Sequence, residues 1–170
     1  VVFSLWAGSI SEPPSLRELI ISTLVVIWSL RLSVFLYSRI HRAGKDGRFD
    51  ELKTSPIRFL VPWTIQGLWV FLTMIVVIVI NSQNGSSPTL GIWDGIGMAV
   101  WILGFTIEVL ADNQKTAFNA VSENKGKWID SGLWSISRHP NYLGEILLWT
   151  GIAIFGISCL TGLELLTWIS

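Results

Sequence analysis

One cysteine, two histidines, two tyrosines and a charged fraction of 14% set the first limits on this chain of 170 residues. The lone Cys159 lies inside an apolar run, so the chain can form neither a disulfide framework nor a Cys-x-x-Cys site. With only His41 and His139 present, a His-rich metal cluster is excluded and no structural zinc site is expected. The formal net charge is zero, which leaves no electrostatic footprint for nucleic acid. The first residues lack the basic segment that opens a secretory signal peptide. Lys and Arg are missing altogether between residues 59 and 111.

What is present is apolar. Hydrophobic residues make up 51% of the chain and the mean hydropathy is +0.56. Soluble domains carry about 25% charged residues, so the composition is that of an integral membrane protein with a single transmembrane domain over residues 1–170. The ten Trp suit helix ends at headgroup depth. Val1 and Ser170 both read as cut rather than capped ends, so the chain is expected to be a fragment of a longer protein.

The expected fold is all-α, a polytopic transmembrane helical bundle of about four complete spans. A span needs about 20 mostly apolar residues. Four segments meet this, at about 17–40, 59–80, 90–111 and 142–168, with the third helix running on to about Asn119. Polar loops at 41–58 and 112–141 separate them, and an uncharged turn-rich loop carries the sequon Asn84-Gly-Ser86. Six of the 12 Lys and Arg lie from Arg39 to Arg58 and four from Lys115 to Arg138. Four alternating spans put these two basic stretches on one side, the cytoplasm by the positive-inside rule.

The residues with chemistry gather at the mouths of the third and fourth spans. Glu108, Asp112, Lys115 and Asn119 are spaced to share one helical face. Arg138, Asn141 and Glu145 do the same if the fourth helix begins near Arg138, with Pro140 in its first turn. Charged and amide groups at a membrane entry are a functional-site hypothesis by default. Simpler readings stand beside it: a solvated helix end with Asp112–Lys115 pairing, and an interfacial anchor with Trp134 and Tyr142 in the aromatic belt. The stripes hold carboxylates, amides and two cations, a mix suited to a ligand with phosphates and hydroxyls. Gly95-Ile-Gly97 has no third glycine and no preceding strand; it is read as a close helix contact rather than a dinucleotide fingerprint.

Gly132-Leu-Trp-x-x-Ser-Arg-His-Pro-Asn-Tyr-x-Gly-Glu, with Glu-x-x-Ala-Asp-x-Gln-Lys-x-x-Phe upstream at Glu108 to Phe118, resembles the steroid 5-alpha-reductase-like membrane proteins. It is most similar to their bacterial-type branch of unassigned reductases. Trp28-Ser-Leu-Arg31-Leu32, Gly44-Lys-Asp46-Gly-Arg48-Phe49 and Gln66-Gly67-Leu68 fit further blocks in order, and the similarity covers roughly residues 20 to 157. The resemblance implies a lipid-metabolising membrane oxidoreductase that takes NADPH from the cytosolic side and reduces the C=C bond of an enone-type steroid or lipid. It implies cofactor contacts from Asp112, Asn141 and Glu145. Glu108, Lys115, Asn119, Arg138, His139 and Tyr142 complete the expected cofactor set. Glu108 stands where steroid reductases carry Asn, and Trp28 where they carry the Tyr that polarises the substrate carbonyl. The catalytic acid is therefore unassigned, with Tyr142, Glu145 and Tyr37 as candidates. Family members continue with a basic, aromatic tail beyond the point where Ser170 stands, so the chain is expected to carry the site in part. Isoprenylcysteine and phospholipid methyltransferases share an Arg-His-Pro-x-Tyr-x-Gly block and give the alternative reading, an S-adenosylmethionine-dependent membrane enzyme. A non-enzymatic membrane protein is the third.

Overall fold

A computed structural model of the chain describes residues 13–43, 54–82 and 89–160. The sequon at Asn84, the block from Gly44 to Phe49, most of the first basic loop and the end of the fourth apolar run lie outside the described residues. Four α-helices account for most of the rest: α1 (Leu16–Ala43), α2 (Pro56–Asn81), α3 (Ile92–Ala120) and α4 (Pro140–Phe155). Among the described residues there is no strand. Three helices, α1 to α3, are long and apolar enough to cross a membrane, and the protein is membrane-embedded.

Of the four expected spans, three are complete among the described residues; α4 is shorter, and the expected end of the fourth lies outside them. The 16 residues of α4 extend roughly 24 Å at 1.5 Å per residue, against about 30 Å of hydrocarbon. The helix stops because Gly156 turns the chain: Gly156 N–H donates to Ile152 O at 3.1 Å, and Cys159 N–H then donates to Gly156 O at 2.9 Å.

By Cα packing the chain divides into two compact units, one holding α1 and α2 and the other spanning Thr89–Cys159. In the first, α1 opens on a reciprocal cap. Ser15 N–H donates to Glu18 Oε2 at 3.0 Å, and Glu18 N–H donates to Ser15 Oγ at 3.3 Å. This is the Ser-x-x-Glu device that satisfies backbone donors a starting helix leaves open. The start of α1 packs on the end of α2 through Ile21, Leu24, Val25, Val76, Val77 and Ile80. One polar pair sits there: Asn81 Nδ2 donates to Ser22 Oγ at 3.0 Å, both groups buried. Most remaining side chains of α2 are exposed apolar groups, including Leu60, Trp63, Leu68 and Phe71, as lipid contact requires.

The second unit is built on an antiparallel α3–α4 pair in backbone contact. A Cβ placed on Gly144 would stand 2.6 Å from Glu108 N, and one on Gly151 2.5 Å from Trp101 N. From the α3 side, a Cβ on Gly97 would stand 2.7 Å from Gly151 O, and one on Gly104 2.6 Å from Gly144 O. Each helix thus presents two glycines seven residues apart to the other. Without hydrophobic drive inside lipid, helices associate through close van der Waals packing, which small residues permit. The seam continues along α3 as Asp94, Gly97, Trp101, Gly104, Glu108 and Ala111, alternating three- and four-residue steps, all buried. From α4 it takes Pro140, Gly144, Leu148, Gly151 and Phe155. Of the expected Gly95-Ile-Gly97 contact only Gly97 takes part, because a Cβ on Gly95 would meet open space.

These two neighbours give a direct test. Gly97→Ala must push backbone apart and is expected to lower stability by about 1–3 kcal/mol. Gly95→Ala gains helix propensity of about 1 kcal/mol with no clash. Thermal unfolding in detergent, followed by circular dichroism, should move the two variants in opposite directions.

Candidate functional site

The site is assembled where the chain leaves α3 and returns to enter α4. After Ala120 a short 3-10 turn, Ser122–Asn124, closes the helix, with Asn124 Nδ2 donating to Phe118 O at 3.0 Å. Gly126 (φ +79°) reverses the chain, and residues 127–130 run without regular structure. Gly132 takes φ +61°, a left-handed conformation that suits glycine. It opens a second 3-10 turn, Gly132–Ser135, which is fixed to the last turns of α3.

Three contacts fix it. Leu133 N–H donates to Gln114 Oε1 at 3.0 Å. Trp134 Nε1 donates to Ala111 O at 3.0 Å, in a buried setting. Lys115 Nζ lies 4.6 Å from the centroid of the Trp134 ring, a cation–π distance. A Cβ on Gly132 would stand 2.7 Å from the Gln114 carboxamide, so glycine is needed there for space as well as for φ. The Trp134 anchor reading is corrected: the indole is 8% exposed and packs on α3, because its N–H has a helix carbonyl to reach.

The fourth helix starts at Pro140, with His139 as its N-cap residue. Arg138 therefore precedes the helix rather than sharing a face with Asn141 and Glu145. The non-helical backbone of His139 (φ −142°, ψ 62°), whose N–H donates to Ser137 Oγ at 3.2 Å, makes the break. The His139 ring lies against Tyr142 with centroids 5.4 Å apart.

Between these pieces lies a cavity of about 720 Å³, lined by Lys115, Phe118, Asn119, Lys127, Trp128, Ile129, Trp134, Arg138 and His139. Three permanent cations face it and no carboxylate does. Of the nine residues expected to hold a cofactor, Lys115, Asn119, Arg138 and His139 line this cavity. Glu108 and Asp112 lie in the helix seam instead, 3% and 5% exposed. Asn141 and Glu145 are half-buried on α4, and Tyr142 is 58% exposed. All nine remain at one end of the pair, since Gly144 abuts Glu108 and Trp134 bonds to Ala111. Tyr37, the other candidate acid, lies in the first unit, stacked on His41 at 6.0 Å. Among the described residues no group of three His, Cys, Asp or Glu is placed to hold a metal.

Sequence reasoning passed over Gln114 and Trp128. Gln114 sat inside a quoted motif without a role. Trp128 is one of ten Trp and carries no spacing signal.

Comparison with known proteins bears on the whole chain. A family model described as "Protein of unknown function (DUF1295)" matches residues 1–170. The chain belongs to the DUF1295 family. An uncharacterized protein of Schizosaccharomyces pombe is 26% identical to this DUF1295 chain over 184 residues, covering 91% of the chain and 52% of the relative. The chain spans about half the length of the curated relative it matches. No solved structure matches it.

The docking of the 132–135 turn on α3 predicts that Trp134→Phe, which keeps the ring and removes the N–H, costs about 1 kcal/mol by losing one buried hydrogen bond. Gly132→Ala combines a left-handed backbone with a clash at Gln114 and should cost more. Denaturation midpoints of the two variants in detergent would check the order.

Proposed function

We propose that this DUF1295 protein is a membrane-embedded, NADPH-dependent reductase that transfers hydride to the C=C bond of an enone-type steroid or lipid. The resemblance to steroid 5-alpha-reductase-like proteins supplies the chemistry. The single observation that carries the cofactor is the cation-lined cavity where the two most specific blocks of that resemblance meet. Its volume of about 720 Å³ falls within the range of about 300–1,000 Å³ typical of small-molecule sites. Lys115, Lys127 and Arg138 match the pyrophosphate and 2′-phosphate of NADPH.

When bound, NADPH supplies the hydride from its reduced nicotinamide. The chain's part is orientation, which for such a transfer is most of what a protein provides. Lys115 is steadied by the Trp134 face, and Arg138 lines the cavity from the segment just before α4. The Asn119 carboxamide is placed to bond a ribose hydroxyl. Asp112, Asn141 and Glu145, which the resemblance brings to the cofactor, stand next to the cavity at the same end of the helix pair. Tyr142 is the candidate acid that adjoins the cavity, through its contact with His139. The exposed apolar faces of the helices suit delivery of a lipid-like acceptor from the bilayer. The positive-inside rule puts the cavity on the cytoplasmic side.

S-adenosylmethionine carries a sulfonium cation and no phosphate, and a lining of three cations without a carboxylate suits it poorly. Titration of the detergent-solubilised protein with each cofactor, followed by Trp fluorescence, tests the choice. NADPH should bind saturably and S-adenosylmethionine should not. Arg138→Ala and Lys115→Ala should each weaken NADPH about tenfold or more, the loss of one charge-assisted hydrogen bond. Saturable S-adenosylmethionine binding without NADPH binding would sink the reductase reading.

A further inference from the structure

We propose that Trp128 is the stacking platform for the adenine base of the bound dinucleotide, an assignment that rests on the reductase reading above. The cavity offers charge for the phosphates, and a nucleotide also needs a flat face for its base. Four lining residues carry rings. Trp134 is buried, with Lys115 Nζ against its face at 4.6 Å and its N–H held by Ala111. His139 is already against Tyr142, with centroids 5.4 Å apart. Phe118 is half-buried on α3.

Trp128 differs from all of these. Its indole is 92% exposed, more than any other large apolar side chain among the described residues. It stands beyond the end of α3, in a segment without regular structure, so it is no part of an apolar helix face. Among the described residues no ring or cation covers it. Lys127 immediately before it also lines the cavity, which puts a phosphate-binding cation beside an open π-face. A purine nucleotide joins a flat ring to phosphate through one ribose, and this Lys-Trp pair presents the complement in adjacent residues. An exposed indole at a membrane protein's edge is otherwise explained by headgroup contact, and the two explanations separate by experiment.

Three probes are titrated against the detergent-solubilised protein and its Trp128→Ala and Trp128→Phe variants: NADPH, 2′,5′-ADP and reduced nicotinamide mononucleotide, which lacks adenine. Base–aromatic stacking predicts that Trp128→Ala weakens NADPH and 2′,5′-ADP about tenfold and leaves the mononucleotide unchanged. Trp128→Phe should restore most of the loss. Unaltered binding of NADPH and 2′,5′-ADP to Trp128→Ala overturns the assignment and leaves the reductase reading standing. Equal weakening of all three probes also overturns it, as general damage to the site. A parent protein that binds neither NADPH nor 2′,5′-ADP, while thermal unfolding shows it folded, overturns the assignment and the reductase reading together.

Discussion

The second unit depends on backbone-to-backbone contact between α3 and α4. At Gly97, Gly104, Gly144 and Gly151 no side chain lies between the helices, and a single methyl group would collide with main-chain atoms. Contact this close fixes the register, because sliding by one residue would drive a side chain into the opposite backbone. Two glycines seven residues apart on each helix repeat the contact two turns further on, so the helices stay together along their length. Glu108 is a consequence of this register. It lies one four-residue step beyond Gly104, on the packed seam, and its backbone N faces Gly144.

The same register sets the distance the chain must cover to return from the end of α3 to the start of α4. The connection is not left to solvent. Gln114 and the Ala111 carbonyl accept from two consecutive residues of the returning segment, and Lys115 caps the face of Trp134. Two sequence blocks, one on α3 and one before α4, therefore form a single surface. The two are joined by the Trp134 indole, which donates to the Ala111 carbonyl and is positioned by the turn at Gly132.

Much of this architecture was legible in the sequence. Long apolar runs revealed three helices within about three residues of their ends, and α3 does run past its apolar part, to Ala120 where Asn119 was expected. Helical spacing put Lys115 and Asn119 on one face, and motif order put Arg138 and His139 at the same end of the pair, though Arg138 lies before α4 rather than on it. What could not be read has physical reasons. Apolar residues continue past Phe155, and nothing in hydropathy distinguishes a helix from the turn that Gly156 begins. Pro140 is compatible with a helix starting at Arg138, but the His139 backbone is not helical and the helix begins only after it. Trp134 was weighed as a belt residue because an indole at a membrane edge usually is one. Its partner is a main-chain carbonyl, which leaves no trace in sequence. The glycine seam has a signal, the repeated spacing of seven, but it is visible only when both helices are compared, and Gly95-Ile-Gly97 is the more conspicuous pair within one helix.

The separation of charge along α3 bears on which ligand fits. The sequence suggested carboxylates and cations mixed over one binding surface. The fold sorts them by depth, with Glu108 and Asp112 in the seam and Lys115 and Asn119 at the cavity. From Glu108 to Asn119 is 11 residues, or roughly 16 Å along the helix axis. A ligand held in the cavity therefore meets cations and the Asn119 carboxamide, while the two carboxylates stay buried between the helices. An anionic ligand such as a dinucleotide suits that lining through its phosphates. A compact methyl donor with a central cation does not.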